Sequence, residues 1–85
     1  MAVAILYFAS VREAIGAARE EVSPPANVTT LAALIDWLAG QSPAHAAAFA
    51  DRQRLRAAID QDMASFDAPI SDAREIALFP PVTGG

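Results

Sequence analysis

Cysteine and lysine are both missing from these 85 residues, and histidine occurs once, as His45. The lack of Cys excludes disulfides, thiolate metal ligation and thiol nucleophiles. All six basic residues are Arg (12, 19, 52, 54, 56 and 74), which also excludes Schiff-base and lysine-nucleophile chemistry. A lone His cannot furnish a His-rich metal cage, and no metal site is expected. Ten acidic residues against six basic ones leave a net charge of −4. Phosphate neutralisation needs clustered cations, so nucleic acid is not an expected partner; a basic protein surface suits this balance better. Long apolar runs are missing too. Residues 1–9 are apolar but lack a basic flank and are far too short to span a bilayer, so no membrane partner is expected and a soluble, cytoplasmic protein is. The length allows one small domain that buries somewhat over ~60% of its unfolded surface.

Glycine is also scarce, with four in the chain, and two of them are the final Gly84-Gly85. They follow Leu78-Phe79-Pro80-Pro81-Val82-Thr83. Without a Cβ, glycine lets a backbone enter a narrow channel. Such an ending is either a frayed tail or a terminus shaped for insertion and chemical handling.

The apolar run at residues 3–9 reads as a strand buried on both faces. Ser10 with Glu13 reads as a capping box opening a short helix at 11–15, with Gly16 at its C-terminal turn. Residues 18–23 read as a more exposed strand that pairs with the first. After the Pro24-Pro25 loop, Thr29 or Thr30 caps the main helix, in which Leu31, Leu34, Ile35 and Leu38 recur at helical spacing up to Gly40. Trp37 falls at the margin of that stripe. Ser42-Pro43 opens an Ala-rich helix that reaches about residue 50. Residues 51–54 form a polar turn. Strands follow at 55–60, at 63–66 on an edge, and at 74–79, where Pro80-Pro81 ends the last one. The expected class is α+β, with a mixed sheet gripping one principal helix.

Side-chain catalysis finds few candidates. His45 lies between alanines on what reads as a surface helix, away from any triad geometry. Gly16 and Gly40 are single helix terminators, not a phosphate loop. Asp60, Asp62 and Asp67 lack the spacing of a calcium loop and read as turn residues. The carboxyl terminus remains. An α-carboxylate must be activated before it reacts, for example as an acyl-adenylate, and exchange of oxygen for sulfur then makes it a good nucleophile. Residues 80–85, fully extended, reach about 20 Å at roughly 3.3–3.6 Å each, enough to thread a partner's pocket. Pro80-Pro81 stiffen the base of that reach.

The chain resembles the small, sulfur-carrier subunits of molybdopterin synthase (the MoaD type), which belong to the ThiS/MoaD ubiquitin-like family. The matching stretches are Tyr7-Phe8-Ala9 with Arg12-Glu13 and Gly16, then Ala57-Ala58-Ile59-Asp60-Gln61, and Ser65-Phe66-Asp67 with Pro69 and Asp72. Residues 75–85, Glu-Ile-Ala-Leu-Phe-Pro-Pro-Val-Thr-Gly-Gly, match most specifically. Asp60 stands where the family usually has Asn, Ala73-Arg74 where Gly-Asp is common, and Leu78 where the family has the first of two Phe.

The resemblance implies a ubiquitin-like β-grasp with a mixed four- to five-stranded sheet over residues 1–79 and a flexible tail at 80–85. It implies that Gly85 is adenylated with ATP by an E1-like enzyme and converted by a sulfur donor to a thiocarboxylate, with no permanently bound cofactor. Pro80, Pro81, Val82, Thr83 and Gly84 would deliver that group into the large synthase subunit, where sulfur passes to cyclic pyranopterin monophosphate. The catalytic pocket would belong to the large subunit, in a heterotetramer. Phe8, Arg12, Met63 and Phe79 match family docking positions. Core packing is the competing use of Phe8 and Phe79, and a solvated pairing with Glu13 or Glu20 that of Arg12. A thiamin-pathway sulfur carrier, a lysine-conjugating ubiquitin-like modifier and a plain interaction module are the alternative functions.

Overall fold

The computed structural model describes residues 2–81. Five strands form one sheet: β1 (Val3–Tyr7), β2 (Arg19–Val22), β3 (Arg56–Ile59), β4 (Asp62–Ala64) and β5 (Glu75–Phe79). Their order is β2-β1-β5-β3-β4, with β1 and β5 parallel and every other neighbouring pair antiparallel. Helices α1 (Ala9–Ile15), α2 (Leu31–Ala39) and α3 (Pro43–Ala48), with a 3₁₀ turn at Arg52–Arg54, complete the fold. This is the expected mixed α+β grasp.

The core lies between one face of the sheet and the helices. Ile5 and Tyr7 from β1, Ile76 and Leu78 from β5, and Ala57 from β3 share that face through the strand registers. Leu31, Leu34, Ile35 and Leu38 of α2 are completely buried against it, as their spacing predicts. Thr30 caps α2 by accepting from Ala33 N at 3.2 Å, and Ser42 caps α3 with Pro43 in its first turn. Trp37 is half-buried at the margin of the core. Leu78, where the resemblance leads one to expect Phe, is a buried core residue.

Three local expectations are corrected. First, β1 is not buried on both faces. Its residues alternate between buried and half-buried, because the helices cover only one side of the sheet. Second, Ser10 does not cap α1. The N-cap position is Phe8, without a side-chain bond, and the carbonyl of Phe8 accepts from Val11 N and Arg12 N. Pairing along β1 continues one residue past Tyr7, with Phe8 N donating to Leu78 O at 3.2 Å. The chain then turns sharply at Ala9, whose φ is +51°, which leaves Ser10 inside the first turn. Third, His45 is not on an exposed helix face. It is 9% exposed and points toward the sheet, between Tyr7 and Phe49.

Candidate functional site

No helix among the described residues covers the sheet face opposite the core, and its composition follows from strand alternation. One row crosses it by register: Leu6 of β1 beside Ala77 of β5, Ala77 beside Ala58 of β3, and Ala58 beside Met63 of β4. Arg19 stands opposite Leu6 at the other side of the row. The next row toward the C-terminal ends of β1 and β5 holds Phe79, paired with Arg56, and Phe8. Two alanines in the middle of the first row leave it low between Leu6 and Met63. Phe8 is 47% exposed and Met63 67%, the two exposed large apolar side chains among the described residues.

The structure therefore brings Phe8, Phe79 and Met63 onto one face, and Arg12 follows from α1, hydrogen-bonded through its backbone to Phe8. Neither Phe8 nor Phe79 belongs to the buried core cluster, so core packing does not explain them. Arg12 makes no ion pair with Glu13 or Glu20. Leu6, Ala58 and Ala77, in the middle of the face, escaped the sequence reading; a period-two reading of β1, β3 and β5 would have found them. Covering the part of each side chain that is still exposed is worth about 0.7–1.4 kcal/mol for Phe8 and about 1–2 kcal/mol for Met63.

Pro80 follows β5 and is half-buried in a groove of about 280 Å³ between α1 and α3, which Val11, Ala14, Ala48 and Arg54 also line. Pro81 is half-buried as well. Val82, Thr83, Gly84 and Gly85, assigned above to tail delivery and sulfur chemistry, lie outside the described residues. A second cavity, of about 300 Å³, opens at the far end of the sheet among Val3, Pro25, Val28 and Ile70 and contains no ionisable side chain. Among the described residues no cluster of His, Asp and Glu could hold a metal ion.

One polar assembly was invisible in the sequence. Tyr7 Oη donates to Glu20 Oε1 at 2.7 Å, and His45 Nε2 lies 2.7 Å from the same oxygen. His45 Nδ1 in turn meets Ser42 Oγ at 2.7 Å. Burial alone would raise the Glu20 pKa, but the hydrogen bonds from His45 and Tyr7 and the charge of His45 hold it below the ordinary value. Burial, followed by the bond to Glu20 and its charge, pushes the Tyr7 phenol upward, so Tyr7 remains a donor. The order Ser-His-carboxylate resembles a hydrolase relay, yet Ser42 Oγ also accepts from His45 N as the cap of α3. Neither Ser42 nor His45 lines the groove beside Pro80 or the cavity at the far end. The assembly ties the edge strand β2 to α3 beneath the sheet.

Asp60 has a comparable structural duty. With φ +49° it opens the β3–β4 turn, and its Oδ1 accepts from Arg74 N at 3.1 Å and Glu75 N at 2.9 Å. Asn offers the same oxygen and tolerates the same backbone, so Asp serves equally at this turn, where the resemblance leads one to expect Asn.

Residues 5–85 match the ThiS family. The chain belongs to the ThiS family. Within it, the chain is 46% identical over 81 residues to the molybdopterin synthase sulfur carrier subunit of Escherichia coli K12, covering 95% of this chain and 96% of that protein. It is 33% identical, over the same shares, to the molybdopterin synthase sulfur carrier subunit of Haemophilus influenzae. Among solved structures, SAMP1 from Haloferax volcanii superposes with a TM-score of 0.75 at 23% identity, covering all of both chains, a likeness of fold.

Proposed function

We propose that this ThiS-family chain is the sulfur-carrier subunit of a molybdopterin synthase and is not a catalyst by itself. The observation that carries the reading is the 46% identity to the Escherichia coli sulfur carrier subunit across 95% of the chain. The lack of Cys and Lys agrees with it, since the reading asks no thiol or amine chemistry of the side chains.

In this reading a Gly85 carboxylate oxygen attacks the α-phosphorus of ATP on an E1-like adenylating enzyme, and pyrophosphate leaves. A sulfide-equivalent donor then attacks the acyl carbon, the bond to AMP breaks, and the thiocarboxylate forms with loss of a proton to solvent. ATP and the donor act in passing, and no cofactor stays bound. The face built from Leu6, Phe8, Met63, Ala77 and Phe79 seats the body on the large subunit, with Arg12 at its margin. Pro80, Pro81, Val82, Thr83 and Gly84 carry Gly85 into the large subunit's pocket, where sulfur passes to cyclic pyranopterin monophosphate. The assembly is a heterotetramer with two large subunits, working in the cytoplasm; no helix of the described residues is long and apolar enough to cross a membrane.

The test is reconstitution of molybdopterin formation from the large subunit, the adenylating enzyme, ATP, a sulfur donor and this chain. Removing Gly85 abolishes product while leaving the circular dichroism spectrum unchanged. Product formed by the shortened chain overturns the reading.

A further inference from the structure

The net charge of −4 suggests a basic partner for the chain as a whole. Topology reverses that at one end. β1 and β5 run parallel, so their C-terminal ends, with Phe8, Phe79 and Pro80, share one end of the sheet. Arg56 pairs with Phe79 there, Arg19 with Leu6, and Arg54 lines the groove that holds Pro80. Arg12 approaches from α1, whose first turn is bonded to Phe8. Carboxylates gather at the opposite end: Glu75 and Glu21 beside Ala4, Asp62 beside Ile59, and Asp60 bonded to the start of β5.

The cations at the Phe79 end are only weakly neutralised. Arg52 pairs with Asp36 at 2.8 Å and is spoken for, and Arg19 reaches Glu21 only at 3.9 Å, both largely exposed. Arg12, Arg54 and Arg56 make no ion pair among the described residues, although Glu13 and Asp51 are close in the chain. Asp51 lines the same groove as Arg54 but forms no ion pair with it, its Oδ1 accepting from Gln53 N. Arg56 is steadied without charge compensation: its Nη1 donates to Gln53 O at 3.0 Å and Leu55 O at 2.9 Å. All three Arg side chains belong to exposed residues.

We propose that Arg54 and Arg56, with Arg12, form a cationic collar that docks on a carboxylate-rich rim around the tail-accepting channel of the large synthase subunit. The three arginines share that end of the sheet with the apolar Phe8 and Phe79, and an apolar centre with a charged margin is the anatomy of a protein interface, not of a nucleotide pocket. Guanidinium groups pair with carboxylates in a two-pronged geometry, which gives the collar orientation as well as attraction. Because the opposite end is acidic, the charge separation also turns the chain so that the Pro80 end approaches first. The proposal rests on the carrier reading above, in which that end meets the partner.

The experiment measures association rates of the full chain with the large synthase subunit by stopped flow, at low and high ionic strength. The pair Arg54→Gln with Arg56→Gln slows association about tenfold at low ionic strength and flattens the salt dependence. Arg54→Lys with Arg56→Lys restores most of the rate, and Arg74→Gln at the acidic end leaves it unchanged. Thermal melts of each variant verify the fold. Wild-type binding with unaltered rates in the double Gln variant overturns the collar and leaves the carrier reading standing. So does an equal loss in Arg74→Gln. Failure of the wild-type chain to bind the large subunit overturns both.

Discussion

His45 Nε2 lies 2.7 Å from Glu20 Oε1, joining a helix to an edge strand that the sequence separates by 25 residues. Because the same oxygen accepts from Tyr7, removing the carboxylate strands two donors at once. Glu20→Ala is expected to destabilise the fold by about 2 kcal/mol, the range for buried groups that lose their partners. Tyr7→Phe removes one donor and leaves the His45 contact, so its cost is about 1 kcal/mol. Urea unfolding of both variants checks the difference, and equal effects would contradict the shared-acceptor geometry.

The same carboxylate sets an acid limb. Its folded pKa is held below the ordinary 4.5. The stability it contributes is therefore present above that value and is lost as pH falls through the lowered folded value. Glu20→Gln keeps the shape but not the titration. A plot of unfolding free energy against pH is expected to be flatter for Glu20→Gln than for wild type at pH below 4.5. Tyr7 acts at the other extreme: its raised phenol contributes fully below 10.0 and loses that contribution as alkaline pH climbs toward the folded value.

Asp60 offers a conservative and a disruptive substitution at one site. Asp60→Asn keeps the acceptor for Arg74 N and Glu75 N and the left-handed backbone, and is expected to melt within a degree or two of wild type. Asp60→Ala loses both bonds and places a less tolerant residue at φ +49°, costing about 1–2 kcal/mol. Thermal denaturation of the two variants side by side is the check.

Met63 separates docking from folding. It is 67% exposed, so Met63→Glu is expected to change stability by less than about 0.5 kcal/mol. The same change puts a charge into the apolar row of the open face and weakens association with the large subunit about tenfold or more, read by titration calorimetry. Unchanged affinity would remove that face from the interface.

The sequence made the grasp fold legible because its elements carry local signals. The Thr30 and Ser42 caps, the leucine stripe of α2 and the proline stop after β5 all work within a few residues. The start of α1 was misread because the decisive force is not local: pairing of Phe8 N with Leu78 O carries the chain past the Ser10 capping signal. The His45 misreading has the same origin. An Ala-rich helix looks exposed until tertiary packing turns one face onto Tyr7 and Phe49, and Glu20 supplies the partner that makes a buried imidazole tolerable. Phe8, Arg12, Met63 and Phe79 were singled out through family resemblance. The placement of Phe79 and Met63 on one face with Leu6, Ala77 and Arg56 needed the strand registers, and that of Phe8 and Arg12 beside them the backbone bonds of Phe8.

The central claim is that Gly85 carries the sulfur. The most direct measurement is intact and peptide mass spectrometry after incubation with ATP, the adenylating enzyme and a sulfur donor. The account predicts the mass gain of one oxygen-to-sulfur exchange, confined to the C-terminal peptide. An unmodified C-terminal peptide under conditions that charge a known carrier, or stable conjugates between Gly85 and partner lysines in its place, would contradict it.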